Sequence, residues 1–385
     1  MADRPAPLRI AVDADKLTRF PARGTQRTTI GLYRALAARR PDWEFLFFHQ
    51  VGPWQDWFAD RPNITPVQVD MPGDRFRGSL NLWLQVRLPL AVRSRRAHVL
   101  HCPFGTAPRF AGAPKVATIH DLTPMDFAPT RPDVIRWLAN IRSAARTSAA
   151  IVTASAYAKD QLVTRLAVSP DRIRVIGWAP ADQYVSGIPA ERIDATRAAL
   201  GLPAARPYLL NFGSGNPHKN TTRLLEAWSR QPTRLREAYL LVISGVEPGA
   251  IEAVRQRVRD LDLAASCMVL GAIADEHMPA LVAGATVMLY PSLAEGFGLP
   301  IVDAFRVGTP VLTSRVTSMT EVAGDAAWLV DPTSTDDITA GITRLLDDPA
   351  LRQSLIGAGT ARADLFTWER CADAHAQLFT EVARA

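Results

Sequence analysis

Cysteine is scarce: Cys102, Cys267 and Cys371 are the only three in 385 residues. An odd, widely spaced set makes neither a disulfide framework nor a metal-ligand cluster, and it predicts a chain of the reducing cytoplasm. No apolar run reaches the roughly 18 residues of a membrane span, and the opening MADRPAPLRIAVDAD carries charge where a secretory leader needs an apolar core. An exported or membrane-spanning protein is therefore not expected. Lysine is also rare, with Lys16, Lys115, Lys159 and Lys219 the only four among 44 basic residues. The GxSxG elbow, HExxH and paired CxxC are missing, which removes the usual support for serine-hydrolase and zinc chemistry, and no metal cofactor is expected.

What is present is ordinary globular material, with 48% hydrophobic and 21% charged residues, enough for two cores. The net charge of +6 suits anionic ligands or an anionic surface but is too modest to require nucleic acid. Short apolar runs alternate with segments of 3.6-residue periodicity, the pattern of buried parallel strands covered by helices. Strands are predicted near 8–12, 44–48, 99–101, 116–120, 150–153 and 173–176, then near 208–212, 239–244, 268–270, 287–290, 310–313 and 327–330. The Pro-, Ala- and Gly-rich stretch of residues 178–206 lacks a strand and marks a domain boundary, giving two doubly wound α/β domains.

Ligands of open α/β sheets lie outside the carboxyl ends of the strands, so the segments after strands are the ones to search. Five stand out. Gly213-Ser214-Gly215-Asn216-Pro217-His218-Lys219 runs toward a helix beginning near Thr221, combining two glycines, a point charge and free helix N–H groups suited to phosphate. It is neither a Walker loop nor a complete GxGxxG fingerprint, and a surface turn with a solvated lysine explains it equally well. Glu295-Gly296-Phe297-Gly298-Leu299 follows a strand and leads into a helix carrying Asp303; carboxylates flanking a glycine loop can accept hydrogen bonds from sugar and ribose hydroxyls. Thr118-Ile119-His120-Asp121 ends a strand in a histidine that can donate, accept or orient, or simply be anchored by Asp121. Arg23 to Thr29, with Gly24, precedes an amphipathic helix containing Ile30, Leu32, Tyr33 and Leu36, and can offer amides to an anion. Thr317-Ser318-Met319-Thr320-Glu321 has the capping-box spacing of Ser318 to Glu321 and opens a helix that can also receive a phosphate. Asp13-Ala14-Asp15 follows the first strand and imitates an Asp-x-Asp metal motif.

Taken together, these segments resemble the retaining glycosyltransferases of family 4, whose GT-B architecture has two Rossmann-like domains. The most specific stretch is LYPSLAEGFGLPIVDAFRVGTPVLTSRVTSMTEVAGDAAWLVDP, similar to the family's donor-binding region with its E-x7-E pattern, here Glu295 and Asp303. TIHDL, VTASAYAKDQL, HKN and a terminal TWERCADAHAQLF segment support it. The resemblance implies an N-terminal acceptor-side domain over residues 1–183, a C-terminal nucleotide-sugar domain over 184–366 and a helix over 367–385 that returns to the first. It implies a hexose transfer from a nucleotide diphosphate sugar, GDP-mannose by likeness to polysaccharide mannosyltransferases, to a glycan or lipid-linked acceptor, with no cofactor. Glu295 would meet the sugar hydroxyls, with the amides of Gly296, Phe297 and Gly298 and neighbouring Leu299 beyond. Asp303 would take the ribose. Lys219 would neutralise the diphosphate with Gly24 and the Thr317, Ser318, Met319, Thr320 turn, and His120 would touch the sugar. Three positions depart from the pattern: Asp303 is one methylene short of Glu, Ser214 stands where many members carry arginine, and Gln26 replaces a loop glycine.

Arg87, Arg93, Arg95, Arg96, Arg131, Arg136, Arg142 and Arg146 share the first half of the chain with Trp43, Trp54, Trp57, Trp83 and Trp137. Basic and aromatic side chains suit peripheral contact with the inner membrane surface, and a solvated arginine-rich surface fits as well. A sugar-phosphate enzyme of the same shape and a non-catalytic nucleotide-sugar-binding subunit are the rival readings.

Overall fold

A computed structural model of the chain describes residues 7–19, 24–50, 54–70 and 80–384. Two compact units result, Met1–Ala179 with Thr367–Ala385, and Pro180–Phe366.

The first unit has a seven-stranded sheet of order β3-β2-β1-β4-β5-β6-β7, from β1 Arg9–Asp13, β2 Glu44–His49, β3 Ile64–Gln68, β4 Val99–Cys102, β5 Lys115–Thr118, β6 Ala150–Thr153 and β7 Ile173–Val175. Every pairing is parallel. Helices cover both faces, which is why β4, β5 and β6 are buried at every position and read as apolar runs rather than alternating ones. β3 was not expected. Only its first and fourth residues are buried, and Pro66 interrupts it. At a sheet edge with one partner a missing N–H costs no ladder bond, so proline is tolerated there. The strand predicted over 116–120 ends instead at Thr118, leaving His120 in the loop beyond.

The second unit has a six-stranded parallel sheet of order β10-β9-β8-β11-β12-β13, from β8 Tyr208–Phe212, β9 Leu240–Ser244, β10 Cys267–Val269, β11 Val287–Tyr290, β12 Val311–Ser314 and β13 Trp328–Val330. Its core packs Leu209, Leu241, Ile243, Leu289 and Leu312 against Leu224, Trp228, Ile342 and Leu345. The strandless stretch near 178–206 contains the helix Ala190–Ala199.

In each sheet the strand order reverses once, between β1 and β4 in the first and between β8 and β11 in the second. The loops leaving those strand pairs must diverge to opposite sides, which opens a crevice at their carboxyl ends.

The helix Trp368–Arg384 packs on the helix Gly24–Arg39 in the first unit. Gly31 is what permits this, because a Cβ there would lie 2.4 Å from the Trp368 ring. Arg39 grips the Asp373 carboxylate with both ends of its fork. All three cysteines are buried and unpaired.

Candidate active site

Lys219 leaves β8 through the short 3₁₀ turn Pro217–Lys219, and Glu295 leaves β11 on the loop after Tyr290. They are 76 residues apart in sequence, yet the sheet order makes their strands neighbours at the reversal point. Lys219 Nζ donates to Glu295 Oε1 and to the Tyr290 hydroxyl, each at 2.9 Å. The two charged side chains are 23% and 12% exposed. Burial opposes charge on both, but the pairing prevails: Glu295 and Tyr290 lift the ammonium well above its usual range, while Lys219 holds the carboxyl below its own. The site therefore keeps a formed ion pair at neutral pH.

The Glu295 loop is pinned from β12's far side. Ser318 Oγ donates to the carbonyls of Glu295 at 2.8 Å and Phe297 at 3.1 Å, and Glu295 N–H reaches Thr317 Oγ1 at 3.4 Å. The expected capping box is thus not formed. Thr317, at φ 57°, is the residue before the helix Ser318–Ala323 and makes no side-chain cap bond. Ser318, wholly buried, serves the Glu295 loop instead. Gly298 turns the chain into the helix Leu299–Val307 at φ +102°, a conformation closed to most side chains.

The Gly213–Asn216 loop is built differently from the expectation. Neither Gly213 nor Gly215 has positive φ. Added Cβ atoms would lie 2.3 Å from Ile243 and 2.4 Å from Ala250, so close packing on β9 and on the segment after it explains both glycines. A carboxylate already sits on this loop: Glu247 Oε1 accepts from Ser214 Oγ at 3.0 Å and Oε2 from Gly215 N–H at 3.1 Å. Asn216 Nδ2 adds a bond to Oε1 at 3.2 Å.

In the first unit the same topology assembles a second group of side chains. After β1, Asp13 and Asp15 are buried; Asp13 Oδ1 accepts from Trp83 Nε1 at 3.2 Å, and Asp15 accepts from Gln50 N and Nε2, both at 3.1 Å. Their Asp-x-Asp spacing is thus occupied by structural bonds. Burial, then Asp15, pushes the Asp13 carboxyl up to about 6. Lys16 Nζ reaches the Phe104 carbonyl after β4 at 3.3 Å. His120 Nε2 lies 3.1 Å from the Pro103 carbonyl, and since a carbonyl only accepts, Nε2 carries the proton and Nδ1 keeps its lone pair. Burial pushes this imidazole below its usual value against the pull of Asp121, so it is neutral at pH 7. Trp178 lies against its ring at 5.6 Å and stacks at 6.0 Å on His375 of the terminal helix.

Two family descriptions match, "Glycosyltransferase Family 4" over residues 22–177 and "Glycosyl transferases group 1" over residues 192–362. The O-antigen chain mannosyltransferase B of Escherichia coli is 29% identical over 371 residues, covering 92% of this chain and 94% of that protein. The chain belongs to glycosyltransferase family 4. The MMP alpha-(1->4)-mannosyltransferase of Mycolicibacterium hassiacum is 29% identical over 277 residues, covering 68% of this chain and 64% of its own length. Anabaena Alr3699/HepE, solved in complex with UDP and glucose, superposes with a TM-score of 0.76 at 18% identity, covering 97% of this chain and all of its own, a likeness of GT-B fold.

In this glycosyltransferase the structure gathers Lys219, Glu295, Gly298, Thr317 and Ser318 at one sheet end. Met319 is fully buried and its side chain packs near Gly298, so its side chain belongs to the core rather than to an open ligand surface. Asp303 is half-buried in the second turn of the helix Leu299–Val307. Gly24 and His120 belong to the first unit. Gly24 is exposed and already helical, so Gly24–Thr29 is the start of the helix rather than a loop preceding it; Arg23 lies outside the described residues. The sequence reading missed Tyr290, Glu247, Lys16 and Trp178 as partners. Each follows or ends a strand, and that position was the available signal.

Proposed function

We propose that this glycosyltransferase moves mannose from GDP-mannose to a hydroxyl of a glycan or lipid-linked acceptor in bacterial surface polysaccharide assembly, with retention at the anomeric carbon. The observation that carries the reading is the Lys219–Glu295 pair at the strand-order reversal of the second unit. As the bond from C1 to the diphosphate breaks, negative charge grows on the leaving oxygen. Lys219 is a fixed cation beside that position, and the helix starts at Leu299 and Ser318 add amide dipoles, so no metal is needed for the charge. Glu295 accepts from the sugar hydroxyls, backed by Gly296, Phe297 and Gly298, and Asp303 accepts from the ribose. His120, neutral with Nδ1 as acceptor, positions a sugar hydroxyl. The acceptor oxygen attacks from the leaving-group face and its proton passes to the departing phosphate oxygen, which preserves the anomeric configuration. That two relatives are mannosyltransferases supports mannose as the transferred sugar. The protein works in the cytoplasm, at the inner face of the plasma membrane.

Calorimetry and thermal shift with GDP-, UDP- and dTDP-sugars test the donor, and proton NMR of the product tests the stereochemistry. GDP binding tighter than UDP, an α product and turnover unchanged by EDTA are expected. Tighter binding of UDP overturns the donor, an inverted product overturns the mechanism, and binding without any turnover supports a non-catalytic subunit instead.

A further inference from the structure

Between Asp74 and Asp121 the sequence holds eight Lys and Arg residues and no Asp or Glu. Much of this run forms a helix in three segments, Leu80–Leu82, a π-turn Trp83–Arg87 and Leu88–Ser94, followed by β4 and a loop to β5. One face of the helix is accounted for: Trp83, Leu84, Leu88 and Val92 are buried in the core of the first unit. The other face is not. Val86 is 43% exposed and Leu90 58%, and Phe110 on the adjoining loop is 84% exposed.

These apolar tips share one surface. Arg109 N–H donates to Gln85 Oε1 at 2.9 Å, and a Cβ at Gly112 would lie 2.5 Å from Arg93 Cβ, so the loop lies directly along the helix. Arg93, Arg95, Arg96 and Arg109 are exposed around it, and among the described residues none of their guanidinium groups is ion-paired. Arg87, by contrast, is engaged with the Asp70 carbonyl, and the neighbouring Glu44 is neutralised by Arg9. Unpaired guanidinium groups and protruding apolar side chains on one face match a surface that is negative outside and apolar beneath.

We propose that this face docks the protein on an anionic lipid bilayer, Phe110, Leu90 and Val86 entering the headgroup boundary and the surrounding arginines meeting lipid phosphates. A nucleic acid would use the arginines but has no need of isolated aliphatic tips. The inference deepens the reading above by placing the enzyme at the surface where a lipid-linked acceptor resides, and it rests on that reading only for this purpose.

The test is co-sedimentation of the full chain, without donor or acceptor, with vesicles of mixed phosphatidylglycerol and phosphatidylcholine and of phosphatidylcholine alone. Binding to the anionic vesicles should be at least about tenfold stronger and should weaken with salt. The double variants Phe110→Ser/Leu90→Ser and Arg93→Gln/Arg109→Gln should each bind about tenfold more weakly. All four side chains are exposed, so unchanged thermal unfolding and nucleotide binding serve as the folding control. Equal binding to both vesicle types, wild-type binding by either variant, or a wild-type chain that self-associates through this face and ignores vesicles would overturn the proposal. Vesicle binding by a protein that transfers no sugar to a soluble acceptor leaves the docking intact and sinks the functional reading instead.

Discussion

Breaking the Lys219–Glu295 pair should cost stability in an asymmetric and pH-dependent way. At 2.9 Å the gross attraction between unit charges, at an effective dielectric near 20, is roughly 6 kcal/mol, much of it offset by desolvation. Lys219→Met leaves Glu295 charged, mostly buried and without its cation, so a loss of about 3 kcal/mol is expected. Glu295→Gln keeps an oxygen that can accept from Nζ, and about 1–2 kcal/mol should be lost. The double variant removes both charges and should be no less stable than Lys219→Met, giving a coupling near 1.5 kcal/mol. Because the folded Glu295 carboxyl lies below its usual range, this contribution is complete above the unfolded value of about 4.3 and disappears as pH falls through the depressed folded value. Calorimetric unfolding of the four proteins, resolving the transition of the second unit, measures the coupling at pH 7 and as the pH is lowered until Glu295 is protonated. Single losses that add to within about 0.5 kcal/mol at pH 7, or a coupling that survives at low pH, would refute the reasoning.

In turnover, Lys219→Ala should lower kcat by about 30- to 1000-fold, or ~2–4 kcal/mol, and near-normal rates in a folded variant would remove Lys219 from the leaving-group site. If the nucleotide binds in the second unit as proposed, His120→Ala should spare nucleotide affinity and sharply reduce transfer; a calorimetric loss of nucleotide binding would contradict that division. The Asp13 carboxyl, raised to about 6, binds its proton more tightly folded than unfolded, so stability should fall by up to about 3 kcal/mol as pH rises from roughly 4 to 6. Asp13→Asn, whose amide oxygen can still accept from Trp83, should flatten that slope in urea unfolding and stabilise the protein at pH 8; an unchanged slope would disprove the assignment. Ser318→Ala strands two carbonyls of the Glu295 loop and should cost about 1–2 kcal/mol with a raised donor KM, checked by melting temperature and steady-state kinetics.

The buried strands were readable from the chain because a strand covered on both faces must be apolar at nearly every position, as β9 and β11 are. β3 escaped because this edge strand buries only Ile64 and Val67, without a period-2 pattern, and carries Pro66. Candidate groups were readable for a related reason, since loops after parallel strands converge at one sheet end whatever the strand order. Strand order itself is a long-range property, and only the folded sheet makes β8 and β11 neighbours, so that Lys219 meets Glu295 across 76 residues. The same distinction governs Ser318. Its local spacing to Glu321 satisfies a capping box, but a hydroxyl bonds whatever oxygen the tertiary structure brings nearest, and here that is the Glu295 loop. Gly213 and Gly215 follow suit: sequence marks them as permissive positions, whereas the neighbours that forbid a Cβ, Ile243 and Ala250, come from other segments, as Trp368 does for Gly31. Residue chemistry and periodicity act over a few positions and are written in the chain. Which charges neutralise each other, which nitrogen of His120 keeps its proton and which arginines stay unpaired depend on packing between distant segments, and tertiary structure alone decided them.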